Sequence, residues 1–432
     1  MDRAALVALD KRRVWHPYTP TDEYLASTDP LVLTACEGAW LTDMNGRRYL
    51  DGNGSWWVST LGHRHPRLVE ALVRQARSLP HGSLAGCTHE PAARLADRLV
   101  ALAPEGLDRV FYSDNGSTAV EVALKVCGHY WAQNGRPRRT LFLALGGAFH
   151  GETLGATSLG GVEAFRRVYD PWTFEVLRAP APDEPGGWER AFLALERAVL
   201  ERSDALAAVV LEPVVQGAAG MRIYPPEYVS RVRALTRHVD TFLVADEVFT
   251  GLGRTGARWA CDLAGVSPDV LCTAKALSGG LLPFAATLVT ERIFDGFRGD
   301  RSRTFWYGHS YCGNPLGAAV ALEALDVYVD EMVLEGIPPR AARIAERMSA
   351  LGALPGVSNP RALGMVGAVD LGGGGYLSRA GWRVYSQALA RGAYLRPLGD
   401  TVYLAPALNI PLGDLDALLD ALEQSVRAAL SL

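Results

Sequence analysis

A chain of 432 residues with 49% hydrophobic side chains can bury a large core, and its 43 basic against 47 acidic residues leave a net charge of −4. That balance gives no electrostatic case for nucleic acid or an anionic membrane surface, and no apolar run approaches the ~20 residues that span a bilayer. Cysteines at 36, 87, 127, 261, 272 and 312 are scattered without close pairs, as expected of reduced thiols in a cytoplasmic protein.

The first residues, MDRAALVALDKRR, lack the apolar core and cleavage site of a secretory signal. WHPYTP follows, and then residues 31–51 predict a hairpin turning at Asn45-Gly46. In DGNGSWWVSTLGHRHP the adjacent Trp56 and Trp57 admit two readings. They are one core anchor beside one surface ring, or an aromatic wall for an apolar substrate chain. His63 and His65 have no third metal ligand nearby and read as ordinary polar side chains. Amphipathic helices are expected after Pro66 and over 91–102. Residues 109–112 predict a strand, 113–117 a turn, and 118–131 a helix. Such a helix N-terminus is an anion site, because free backbone N–H groups and the helix dipole face a ligand. Taken alone, SDNGS is equally an ordinary helix cap.

Further strands are expected at 141–145, running into GGAFHGET, at 207–211, ending in Glu212, and at 284–289. Two more apolar runs, 242–245 and 270–272, each lead into a charged residue: Asp246-Glu247 and Lys275. In open α/β sheets, function gathers at the carboxyl ends of strands. A buried charge needs a partner, so a structural ion pair is the simplest reading of one Asp and one Lys. Their settings, LVADEVFTGLGRTG and TAKALSGG, add small residues that leave room for a ligand. The segment YGHSYCGNP opens a helix with Ser310 or Asn314 as its cap. Alternation of strands and helices over 105–290 predicts a doubly wound sheet. From about residue 330 long amphipathic helices (341–351, 382–391) and a short strand (401–404) predict a smaller lobe. The expected division is therefore 1–60 as a segment shared with the small domain, 61–330 as the large domain, and 331–432 as the small one. Arg396, beside the last strand, reads by position as a solvated surface arginine.

Together these pieces resemble the class III aminotransferases of the fold-type I, pyridoxal-phosphate-dependent group, and the resemblance covers nearly the whole chain. It rests on WHPYT, SWW, FYSDNGSTAVEVALK, EPVVQGAAGM, GLGRTG and GNPL. WHPYT and SWW separate the chain from the ornithine and γ-aminobutyrate branches and bring it nearest the branch serving biotin synthesis. Ala218 agrees, since those branches carry there a Glu that masks the substrate arginine. The resemblance implies an α/β fold with a large, mostly parallel sheet domain and a smaller domain built from both chain ends. It also implies pyridoxal 5'-phosphate as cofactor, with Lys275 carrying it and Asp246 pairing with its ring nitrogen. Gly116 and Ser117 would hold its phosphate and Phe149 would stack on its ring. Tyr18, Trp56, Trp57, Gly308 and Arg396 would line the substrate pocket, with Arg396 gripping a carboxylate. Small-molecule substrates are implied, 8-amino-7-oxononanoate as acceptor and S-adenosylmethionine or lysine as donor, as is a homodimer in which Ser310 reaches the neighbouring subunit's phosphate site.

Several positions depart from the family pattern. Phe149 stands where Tyr is usual, Glu152 where Asp is usual, and Gly54 where Ser is usual. Tyr307, His309 and Ser310 replace His, Pro and Thr. The donor-facing loop is the poorest match, which leaves the donor open.

Overall fold

Strands buried along their whole length organise the molecule, a computed structural model that describes residues 1–183 and 186–431. Leu141–Leu145, Leu206–Leu211, Phe242–Asp246 and Val270–Thr273 are buried at every position, because helices cover both faces of their sheet. The seven-stranded sheet runs Leu107–Ser113, Ala285–Thr290, Val270–Thr273, Phe242–Asp246, Leu206–Leu211, Leu141–Leu145, Val176–Ala179. Only Ala285–Thr290 lies antiparallel to its neighbours, so the expected mostly parallel sheet is found. Helix Gly116–Gln133 packs closely through Ala119, Val120, Val122, Ala123 and Cys127, small or β-branched residues that let it approach the strands.

Near the C-terminus, Val357–Leu363, Val366–Leu371 and Thr401–Leu404 form a three-stranded antiparallel sheet. Helices Ile337–Gly352, Ala380–Ala390 and Leu412–Leu430 accompany it. The two chain ends then share a further sheet, in which Ala393–Tyr394 pairs parallel to Arg48–Asp51. Its register sets Tyr394 beside Asp51, which brings the segments that follow, Asn53 and Arg396, alongside each other.

One expectation needs correction, and one open alternative is resolved. Residues 31–51 form a three-stranded meander, Leu33–Glu37, Trp40–Asp43 and Arg48–Asp51, because Gly38 at φ 55° makes a first turn before the one at Asn45-Gly46. Helix Pro315–Asp330 is capped by Asn314, whose side chain accepts from the amides of Leu316 and Gly317 at 3.0 and 3.1 Å, and Ser310 has no part in the cap. Among the described residues no helix is long and apolar enough to cross a membrane, and no cluster of potential ligands could hold a metal ion.

Candidate active site

Neighbouring parallel strands bring the two charged candidates to one end of the sheet. Asp246 ends its strand in register with Cys272, and the next amide, Glu247 N, donates to Cys272 O at 2.9 Å. Lys275 opens a single tight turn just after the adjoining strand. Asp246 is buried; its Oδ2 accepts from His150 Nδ1 at 2.7 Å and its Oδ1 from Val248 N at 3.1 Å. An ionised carboxylate only accepts, so the shared proton sits on the imidazole. The other ring nitrogen, His150 Nε2, is buried without a hydrogen-bond partner among the described residues.

Lys275 is half-buried, with Nζ 5.2 Å from the centre of the Trp57 ring. Burial holds its amine below the usual lysine value, against the opposing pull of Asp246 and Glu212. Glu212, at the tip of the next strand, accepts from Phe149 N at 3.0 Å and Gly217 N at 2.9 Å. It therefore ties two loops together at this end of the sheet. Its burial pushes the carboxyl up to about 7.

The helix N-terminus beside Asp246 is held by a reciprocal cap between Asn115 and Thr118. Helix geometry leaves the first amides, Gly116 and Ser117, without intrahelical acceptors. A Cβ on Gly116 would lie 2.6 Å from Val248 Cγ1, so glycine is what allows this end to press against the loop that follows Asp246. Ser117 Oγ accepts from Glu152 N at 3.0 Å, and a Cβ on Gly151 would fall 2.3 Å from that oxygen. The helix and the Phe149–Glu152 turn are thereby locked together.

A second group gathers around Trp56. Gly54, Ser55, Trp56 and Trp57 all take positive φ (54°, 44°, 67° and 75°), and the turn closes through Trp57 N to Asn53 O at 2.8 Å. A left-handed conformation costs roughly 1–2 kcal/mol per side-chain-bearing residue. Several contacts offset it. Asp51 Oδ2 accepts from Ser55 Oγ at 2.8 Å and from His63 Nε2 at 2.8 Å. Asn53 accepts from Arg396 N at 2.5 Å and donates to Tyr403 O at 3.3 Å. A Cβ on Gly54 would meet Ala405 O at 2.8 Å, which accounts for glycine at that departure. The turn separates the two tryptophans. Trp57 is buried, its indole N–H donating to Tyr403 OH at 3.0 Å, whereas Trp56 is 39% exposed. Trp56 meets Tyr18 edge-on at 5.5 Å, and the Arg396 guanidinium lies 4.9 Å over its ring. Tyr18 donates to Glu152 Oε1, which joins this group to Ser117.

Tyr307, Gly308, His309 and Ser310 lie apart. Tyr307 packs against Phe305 and Phe111, with Lys125 Nζ 4.3 Å over its ring. His309 Nε2 is 3.5 Å from Asp114 Oδ1. Gly308 and Ser310 are exposed, and among the described residues no contact joins them to Asp246, Lys275 or Arg396. Sequence reasoning missed His150 as the partner of Asp246, and also Glu212 and Asn53. Glu212 carries the signal that marked Asp246, a buried strand run ending in a charge.

These groups suit a planar, phosphate-bearing pyridine. They comprise an acceptor-only carboxylate with a fixed donor behind it, a half-buried amine, an aromatic ring and free amides at a glycine-opened helix end. Fold and site together are those of a fold-type I, pyridoxal-phosphate-dependent enzyme. The aminotransferase class-III family profile matches residues 24–426, and the chain belongs to that family of pyridoxal-phosphate-dependent transaminases. The adenosylmethionine-8-amino-7-oxononanoate aminotransferase of Nitratidesulfovibrio vulgaris is 43% identical, over 98% of this chain and 82% of its own length. The crystal structure of the Methanocaldococcus jannaschii enzyme with that same name superposes with a TM-score of 0.95 at 34% identity, covering 99% of each chain. An omega transaminase from Pseudomonas jessenii, solved in complex with PMP, gives 0.93 at 26% identity, covering 99% of this chain and 98% of its own.

Proposed function

We propose that the protein transfers an amino group to the ketone of 8-amino-7-oxononanoate, giving 7,8-diaminononanoate for biotin synthesis, with S-adenosylmethionine or lysine as donor. The names of its relatives support this acceptor. The observation that carries the reading is the meeting of Tyr18, Trp56 and Arg396, an aromatic wall with a cation at its end. An apolar chain ending in a carboxylate matches that pairing, since a guanidinium binds carboxylates bidentately.

When bound, pyridoxal 5'-phosphate supplies an electron sink and carries the amino group between the two substrates. Asp246 would hold the proton at its ring nitrogen, with His150 keeping the carboxylate oriented. Gly116 and Ser117 would take the phosphate through their amides, and Phe149 would cover the ring. Lys275 would carry the cofactor covalently and, once released, move a proton from and to substrate carbon at Nζ. Its lowered basicity favours the neutral amine that this work needs. The buried Trp57 ring lies 5.2 Å from that amine. Because donor and acceptor use one site in turn, ping-pong kinetics follow.

We read residues 61–330 as the cofactor-binding domain, and 331–432 with 1–60 as the smaller one. The exposed Gly308 and Ser310 complete the site of a second copy in a cytoplasmic homodimer. A second reading, amino transfer with another ω-amine or keto substrate, draws support from the likeness to the omega transaminase. Incubation with 8-amino-7-oxononanoate and a donor panel separates the two. Diamine product with S-adenosylmethionine or lysine is expected; its absence with every donor removes the biotin assignment.

A further inference from the structure

A second tryptophan reaches Arg396. Trp382 lies on helix Ala380–Ala390, and the guanidinium sits 5.5 Å over its ring, as it sits 4.9 Å over that of Trp56. The two rings come from distant parts of the chain, Trp56 from the left-handed turn and Trp382 from a helix near the C-terminus. That helix is pressed against the segment carrying Arg396. Gly381 N donates to Gly399 O at 3.1 Å. A Cβ on Gly381 would lie 2.4 Å from Gly399 O and 2.5 Å from Pro397 Cβ. Only a residue without a side chain lets the helix start there, so glycine at 381 is what brings Trp382 up to Arg396.

The Trp382 ring is itself held. It meets Tyr385 edge-on, with centroids 5.4 Å apart and planes at 75°, and Tyr385 meets Tyr394 in the same way at 5.8 Å and 82°. Tyr394 belongs to the short strand paired with Arg48–Asp51, so a line of rings ties Trp382 to the sheet that sets Asn53 beside Arg396. Trp382 and Trp56 stay 38% and 39% exposed, so core burial explains neither. An aromatic face attracts the charge of a guanidinium without offering its N–H groups an oxygen acceptor. Among the described residues no carboxylate lies within ion-pair distance of Arg396. Rings therefore place this cation, and its charge is left to pair with an anion that a substrate brings.

We propose that Trp382 is a positioning residue for the acceptor: together with Trp56 it holds the Arg396 guanidinium where the substrate carboxylate meets it. This rests on the acceptor reading given above. A guanidinium free to swing must be ordered when the carboxylate binds, which weakens binding, whereas one already held needs no such ordering. A neutral end group gains little from that order, so Trp382 favours acids over their esters.

The test compares kcat and KM of the holoenzyme for 8-amino-7-oxononanoate and for its methyl ester. The acid-to-ester ratio of kcat/KM is independent of the folded fraction and of cofactor loading. Trp382→Leu keeps apolar bulk and removes the aromatic face. It is expected to raise KM for the acid about two- to five-fold, the size of one exposed cation–π contact, and to leave kcat and the ester's KM unchanged. Trp382→Phe keeps a face and should retain most of the affinity. An unchanged ratio in Trp382→Leu overturns the proposal, and so does an equal loss in Trp382→Phe. In an Arg396→Ala background Trp382→Leu should move the ratio no further, because the two residues act as one unit. Additive losses there would show that Trp382 does not work through Arg396, and would overturn it too. The layer beneath fails separately: a wild-type ratio near one, or one that Arg396→Ala leaves unmoved, removes the acceptor reading.

Discussion

Asp246 Oδ2 and His150 Nδ1 lie 2.7 Å apart, and their side chains are 5% and 0% exposed. A carboxylate that far from water is costly to bury unless hydrogen-bond donors satisfy it. His150→Phe leaves Asp246 with a single backbone donor. We expect turnover to fall about 10- to 100-fold, the equivalent of ~1.5–3 kcal/mol for a hydrogen bond to a charged group. Bound cofactor should also be lost faster on dialysis, followed by absorbance. Wild-type turnover and retention would show that the histidine only fills space.

The helix N-terminus supplies a second prediction. Gly116→Ala puts a methyl group 2.6 Å from Val248 Cγ1, so helix and loop must separate. Cofactor affinity should weaken about ten-fold, as a misplaced charge-assisted contact would. Val248→Ala opens space at that contact, so the double variant should recover part of the loss, as coupled neighbours do. Full affinity in Gly116→Ala alone would show that the two segments can part freely.

Asn53 joins the left-handed turn to Arg396, accepting from its amide at 2.5 Å. Asn53→Ala leaves buried backbone groups without partners and should cost about 1–3 kcal/mol in thermal unfolding. Because the same change loosens both Trp56 and Arg396, KM for the acceptor should rise as well. A stability loss with no change in KM would separate the turn from the pocket.

Glu247 accepts from Thr250 Oγ1 at 2.6 Å, Ala260 N at 3.0 Å and Cys261 N at 2.8 Å, and burial pushes its carboxyl from 4.5 up to about 7. The folded chain therefore keeps a proton that the unfolded chain releases. The stability this contributes is complete below pH 4.5 and is lost as pH rises through about 7. In Glu247→Gln the slope of Tm against pH between those values should become shallower. An unaltered slope would mean that the carboxyl titrates normally.

Sequence alone marked Asp246 and Lys275 because fully buried strands leave a local trace, an apolar run that stops at a charge. The helix cap at SDNGS was legible for the same reason, since caps are built from adjacent residues. His150 was not, because a histidine after an aromatic in a glycine turn has no periodicity to mark it as another strand's partner. The contacts of Phe165 with Tyr376 and of Asn53 with Arg396 join segments distant in the chain, and only the packed fold brings them together. The left-handed turn was hidden too: positive φ at Ser55, Trp56 and Trp57 is imposed by Asp51, Asn53 and Tyr403 against local preference. Gly38 concealed the first turn of the meander because a lone glycine between Glu37 and Ala39 matches no two-residue hairpin signature.

The most direct measurement treats holoenzyme with borohydride and maps the modified peptide by mass spectrometry. A single stable cofactor adduct on Nζ of Lys275, absent from Lys275→Ala, is expected. A protein that takes up no pyridoxal 5'-phosphate, or an adduct on any other lysine, would contradict it.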